Sequence, residues 1–165
     1  MEKNLQSAEA LSKLKKLVND IRVAMFITDN TGSDHTRPMY TIEVDENGVL
    51  CFFTDLRSIK VEEISQQKTV HLVYAHPAKE SYLDLWGSAT VVTDKYVIQA
   101  KWTPMAKAWF PKGIDDPNIA LLKVEPRNAY YWDAETGKMV AFLKIVAAAV
   151  TGKKFSEGTE GKLAV

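Results

Sequence analysis

Two hydrophobic periods alternate along this chain, and the switches between them mark out its elements. Across residues 7–19 the apolar positions Leu11, Leu14, Leu17 and Val18 recur three and four apart, with Lys13, Lys15 and Lys16 on other faces; this predicts an amphipathic helix. Ile21, Val23, Met25 and Ile27 then share one side of an extended segment, IRVAMFIT, which ends in the polar cluster DNTGSDHT. Residues 37–44 and 49–53 read as two further strands. They are joined by Asp45-Glu46-Asn47-Gly48, where Asn-Gly supplies the positive φ angles of a tight hairpin. After Thr54 and Asp55 the period changes again, and Ile59, Val61 and Ile64 suit a short helix to about Gln67 with Ser58 as its cap.

Residues 69–75 and 82–92 return to β-rich composition on either side of AHPAKES. Asp94 is placed to cap a helix through Lys101. A further helical piece at 104–110 runs into PKGIDDPN, whose prolines, glycine and paired aspartates stop it. Strands at 119–124 and 129–133 follow, then a turn at Glu135-Thr136-Gly137 into an apolar helix at 139–150. From Thr151 onward the chain is rich in Gly, Lys and Glu and is expected to be a mobile tail. Strands linked mostly by short loops imply an antiparallel sheet, and about seven of them favour a small closed barrel with flanking helices. The expectation is an α+β fold: one domain over residues 1–150 and a tail over 151–165.

Composition narrows the function more than the fold. The 165 residues are 46% hydrophobic and 25% charged, as in one globular domain. With 21 basic against 21 acidic residues, there is no long-range attraction to nucleic acid or anionic lipid. The apolar segment 139–150 is interrupted by Lys144 and is shorter than the roughly 20 residues of a membrane span. The charged N-terminal stretch lacks the apolar run of a secretory signal, and a cytoplasmic location is expected. The single cysteine, Cys51, forms no internal disulfide, and three scattered histidines make no zinc pattern, so no metal is expected. His35, His71 and His76 have no carboxylate or nucleophile beside them in a known pattern. Cys51, between Leu50 and Phe52, reads as a small buried residue, and Asp115-Asp116 as a turn. No catalytic side chain is identified.

Two segments hold candidate chemistry. Phe52 to Ile64, FFTDLRSIKVEEI, sets Thr54, Ser58 and Lys60 at a strand end and helix entry. Unpaired helix amides, hydroxyl donors and an ammonium together suit a phosphate. The same residues also suit a plain helix cap and a solvated face. HTRPMY, residues 35–40, puts Arg37 beside Pro38, which removes a backbone donor as at a strand start or edge. The guanidinium can reach the same phosphate, or it is an ordinary surface arginine. Trp109 and Phe110, beside a Pro-Gly loop, suit a dimer seam or a core as well as stacking on a flat ligand ring.

These segments, with the run W-x-P-x-x-x-x-W-F-P-x-G-x-D-D-P from Trp102 to Pro117, resemble the pyridoxamine 5'-phosphate oxidase-like family of FMN-binding split β-barrels, closest to its general stress protein branch. The resemblance implies a split-barrel homodimer with a flavin, FMN or FAD, at each of two sites between the chains. It places the phosphate on Thr54, Ser58 and Lys60, with Ile59 where the oxidases carry an arginine, and with Arg37 compensating. It lays the strand Arg37, Pro38, Met39 and Tyr40 along the flavin ring, adds Phe53 and Trp109 as contacts, and matches Tyr82 to a residue supplied by the partner chain. It further implies a flavin-dependent oxidoreductase acting on a small molecule, in a branch named for stress response; a non-catalytic flavin-binding or ligand-sensing dimer is the alternative. The arginine-rich C-terminal segment with which vitamin-processing oxidases bind their substrate is missing, since the only arginines are Arg22, Arg37, Arg57 and Arg127. Pyridoxamine phosphate oxidation is therefore not implied.

Overall fold

A computed structural model of the chain describes residues 5–28, 35–134 and 159–164. The described residues form nine strands and three α-helices: β1 (Leu5–Gln6), α1 (Ser7–Ile21), β2 (Val23–Thr28), β3 (His35–Tyr40), β4 (Glu43–Val44), β5 (Leu50–Asp55), α2 (Ile59–Gln66), β6 (Thr69–His76), β7 (Ser81–Val92), α3 (Lys95–Lys101), β8 (Ile119–Asp133) and β9 (Thr159–Ala164). Single 3₁₀ turns occupy Pro77–Lys79, Pro104–Ala108 and Gly113–Asp115. The sheet runs β1-β9-β8-β7-β6-β2-β3, with β5 bridging β8 and β4. Every pairing is antiparallel except β1 with β9. The result is a curled half-barrel of the α+β class, as the spacing of short connections predicts.

The main core lies inside the curl. Phe26, Phe52, Leu72, Tyr74, Leu83, Leu85, Leu122 and Tyr131 point inward, and α1 closes one end with Ala10, Leu14, Leu17 and Val18. Burying side chains of this size removes the apolar area that drives folding. A second cluster sits on the other side of the β5–β8 wall, where α3 and the 3₁₀ turns cover Ile119 and Leu121 with Ile98 and Phe110. This outer cluster forms one side of the cavity described below.

Four sequence expectations change. The predicted strand over 37–44 is two strands, because Thr41 N–H donates to Arg22 O and Ile42 N–H to Cys51 O, both at 2.8 Å. The chain thus passes from β2's edge to β5's between Tyr40 and Glu43. The predicted strands at 119–124 and 129–133 are one. Pro126 is tolerated there because the register shifts opposite Trp86 and Gly87, a bulge that absorbs the missing donor. Of the four residues read as one side of an extended segment, Val23, Met25 and Ile27 do alternate along β2, but Ile21 ends α1, and Ala24, Phe26 and Thr28 are the buried set. Within the expected mobile tail, Thr159–Ala164 forms β9, paired to the C-terminal half of β8 from Ala129 to Asp133. Leu163 enters the core there, so one apolar side chain and a free strand edge suffice to dock a segment of polar composition. The predicted helix at 139–150 and residues 151–158 lie outside the described residues.

Candidate functional site

Strand β3 ends the sheet path, bonded on one side only, to β2. Pro38 on it lacks an amide proton, which an edge strand tolerates. Beside this edge, β5 runs out at Thr54 and Asp55 and the chain turns into α2, bringing Lys60 back toward β3. The space between is a cavity of about 400 Å³ lined by Arg37, Pro38, Met39 and Tyr40 of β3, by Phe53, Thr54 and Asp55 of β5 and by Lys60 of α2. Ile42 and the segment Thr103, Met105, Ala106, Trp109 and Phe110 close its other side.

Eight of the ten residues singled out from the sequence therefore meet at one cavity, though they come from four stretches of chain. Ser58 stands just behind it. Its hydroxyl is 3.4 Å from that of Thr54; it holds the N-cap position of α2 in its backbone but makes no side-chain cap. Tyr82 is elsewhere. It lies half exposed on β7, opposite Ala75 and Trp132, and does not line the cavity of its own chain. Trp109 is 63% exposed and lines the cavity at its rim, which excludes a core role and is compatible with both the ligand contact and the dimer seam.

Lys60 and Arg37 converge from opposite walls. Burial pushes the Lys60 ammonium below its ordinary pKa, and the nearby Arg37 guanidinium pushes it the same way. No described carboxylate lies within ion-pair distance of Lys60, whereas Arg37 is engaged. Arg37 Nη1 donates to Thr28 Oγ1 at 2.9 Å and Nη2 to Glu63 Oε2 at 3.2 Å. Glu63, 1% exposed, also accepts from the Thr28 hydroxyl and bonds His35 Nδ1. Burial alone would raise the Glu63 carboxyl, but the bonds from Thr28, His35 and Arg37 outweigh it and hold the group below the usual carboxylate range. The carboxylate in the cavity wall, Asp55, has its pKa lowered to about 2, first by the Arg57 side chain bonding to it, and at neutral pH it is a fixed anion with no proton to give.

The remaining candidates behave as small structural parts. Cys51 is buried and burial pushes its thiol up, so it is no nucleophile. Asp116 turns the chain by accepting from Asn118 N–H at 2.9 Å. Among the described residues no cluster of His, Cys, Asp or Glu can hold a metal, and no helix is long and apolar enough to cross a membrane.

The sequence profile of the family described as "Pyridoxamine 5'-phosphate oxidase like" matches residues 9–156. The chain belongs to this family. Solved structures similar in fold include one from Jannaschia sp. CCS1 described as a general stress protein 26, with a TM-score of 0.78 at 23% identity, covering 96% of this chain and all of that one. The general stress FMN/FAD binding protein of Xanthomonas citri is 26% identical with a TM-score of 0.69, over 79% of this chain and 93% of that one. General stress protein 26 of Bacillus subtilis strain 168 is 24% identical over 120 residues, 70% of this chain and 83% of its own length. The family thus stands as the motifs suggested.

Several cavity residues escaped the sequence pattern. Ile42, Thr103, Met105 and Ala106 carry no chemistry that marks them, and only the fold of the 102–117 run places the last three. Glu63 reads as one of two solvated glutamates in KVEEI; its spacing of three from Lys60, on one helix face, was the available signal.

Proposed function

We propose that this protein is a flavin-binding homodimer of the cytoplasm, holding FMN, or FAD by the same phosphate grip, and serving as an oxidoreductase on a small molecule. The observation that carries the reading is the desolvated Lys60 ammonium, with no described carboxylate in ion-pair reach, on the same cavity wall as Thr54 and facing Arg37. A cation in that state is stabilised by an anion, and hydroxyl and guanidinium donors beside it suit a phosphate monoester. Lys60, Arg37 and Thr54, with Ser58 behind, would hold that phosphate. Met39, Tyr40, Phe53 and Trp109 would border the ring system, matching an apolar wall to an aromatic ligand. A flavin held there supplies the redox chemistry. The protein's own part is to bind it, orient it and exclude water along the Phe53, Met105 and Phe110 side. Stress response enters only through the names of relatives.

One observation favours the non-catalytic alternative. The described cavity lining has no His or Cys, and its one carboxylate is held low by Arg57 and is a weak base, so the proton-bearing side chains it offers are Lys60, which the phosphate would engage, and Tyr40. The two readings part on turnover: flavin-loaded protein mixed with reduced nicotinamide cofactor either bleaches and reoxidises or does not. The shared reading is tested by the purified protein itself. It is expected to be yellow and to release flavin on denaturation, or, if stripped, to take up added FMN. A colourless preparation that binds no FMN overturns it.

A further inference from the structure

We infer that Glu63, which lines no part of the cavity, is the positioning residue that sets Arg37 against a ligand's phosphate. The inference rests on the flavin reading above and goes one layer behind it. Arg37 leaves β3 at the cavity wall with a long side chain that has many rotamers in water, and an unrestrained guanidinium would spend little time at one place. Two acceptors remove that freedom: Thr28 Oγ1 takes Nη1 at 2.9 Å and Glu63 Oε2 takes Nη2 at 3.2 Å. Those acceptors come from β2 and α2, and a third contact, His35 Nδ1 on Glu63 Oε1, comes from β3 itself. Glu63 therefore ties together the strand bearing Arg37 and the helix bearing Lys60, one turn away on the same face. Because Glu63 is buried and its acceptors are filled by Thr28, His35 and Arg37, it is not itself open to a ligand.

A glutamine at position 63 has similar volume but separates two effects. It removes a negative charge near the anion, which alone would tighten binding. It also replaces one accepting oxygen by a donor NH₂, which faces either His35 at the Oε1 position or Thr28 and Arg37 at the Oε2 position, and it takes the charge out of the bond to Arg37, which loosens the hold on the guanidinium and with it the binding. The positioning role requires the second effect to dominate.

The test compares dissociation constants for FMN and for riboflavin, which has the ring but no phosphate, by flavin fluorescence quenching. For Glu63→Gln the FMN-to-riboflavin ratio is expected to rise about tenfold, to recover in part in Glu63→Asp, and not to rise further in an Arg37→Ala background. Thr28→Val, which removes the other acceptor and leaves the carboxylate, gives a second measurement should Glu63→Gln not fold; a rise of a few-fold is expected. An unchanged or lower ratio in the variants that fold, or a Glu63→Gln effect that persists without Arg37, overturns the inference. Lys60→Ala in the same assay keeps the two readings apart: if it too leaves FMN affinity unchanged, the phosphate site itself fails; if it weakens FMN while Glu63→Gln does not, only the role of Glu63 fails.

Discussion

Lys60 and Glu63 are three residues apart in one helix, and burial disfavours the charge on both, but only one of them has partners that offset it. The ammonium loses water without gaining a described ion-pair partner, so folding leaves it a deficit that an anionic ligand makes good. Replacing it by alanine should weaken FMN binding about ten- to a hundredfold, the scale of a charged hydrogen-bond partner lost, while riboflavin changes little; equilibrium titration of the stripped protein reads this directly. The carboxylate gains more than it loses. Its folded pKa lies below its unfolded value of about 4.5, so its stabilising contribution is fully present above that value and is lost as pH falls through the folded one. Asp133 behaves the same way: burial raises it, but hydrogen bonds from Lys13 and Ser81 outweigh this and hold it low. Acid unfolding should therefore steepen below about pH 4, and Glu63→Gln should flatten that limb in a denaturant series taken between pH 3 and 6.

Elements were legible wherever a local rule decided them. The 45–48 hairpin formed where Asn-Gly marks it, with Glu43 opposite Cys51, although Gly48 alone takes a positive φ, 85°, and Asn47 does not, Asp45 O accepting from Gly48 N–H at 3.2 Å instead; Asp94 caps α3 by accepting from Tyr96 and Val97 amides at 2.8 and 3.3 Å. Asp94→Ala should cost about 1 kcal/mol in chemical denaturation. What composition could not show were the features set by a distant strand. The strands read separately at 119–124 and 129–133 are one because β7 supplies a register shift across from Pro126, and the tail segment at 159–164, expected to be mobile, is ordered because β8 offers it an edge. Gly87 belongs to this non-local group. Inside the strand pattern it gives no turn signal, yet a Cβ there would stand 2.7 Å from both Glu125 O and Val124 Cγ1. Backbone cannot yield cheaply at such a contact, so Gly87→Ala should destabilise by about 1–3 kcal/mol, seen as a lower denaturation midpoint at unchanged slope. The site divides along the same line: Arg37, Thr54 and Lys60 announced themselves by chemical type, whereas Met105 and Glu63 matter only through what the fold sets next to them.

At the scale of the molecule, the outer face of the sheet completes the argument for a partner. Cross-strand register stacks Met25 beside Val73, Val73 beside Asp84, His71 beside Trp86, and Tyr82 beside Trp132. Among these, Met25, Tyr82, Trp86 and Trp132 are 41%, 37%, 44% and 40% exposed, and His71 stacks flat on Trp86 with ring centroids 4.2 Å apart. Single exposed apolar residues are ordinary, but a row of large ones on one face, Tyr82 and Trp86 along β7 with Trp132 directly beside Tyr82 and Met25 further out on β2, is what an interface core contains. Tyr82, absent from the cavity of its own chain, belongs to this row, which fits its proposed role as a contact to the partner's flavin. A charge at the centre of the row should therefore do two things at once. Trp86→Glu is expected to shift the protein from dimer to monomer in light scattering and to weaken FMN binding, although Trp86 lines no part of the 400 Å³ cavity. Tyr82→Ala should weaken FMN binding with the dimer intact. A Trp86→Glu monomer that holds FMN as tightly as the unaltered protein would mean that each chain completes its own site, and that the outer face serves association alone.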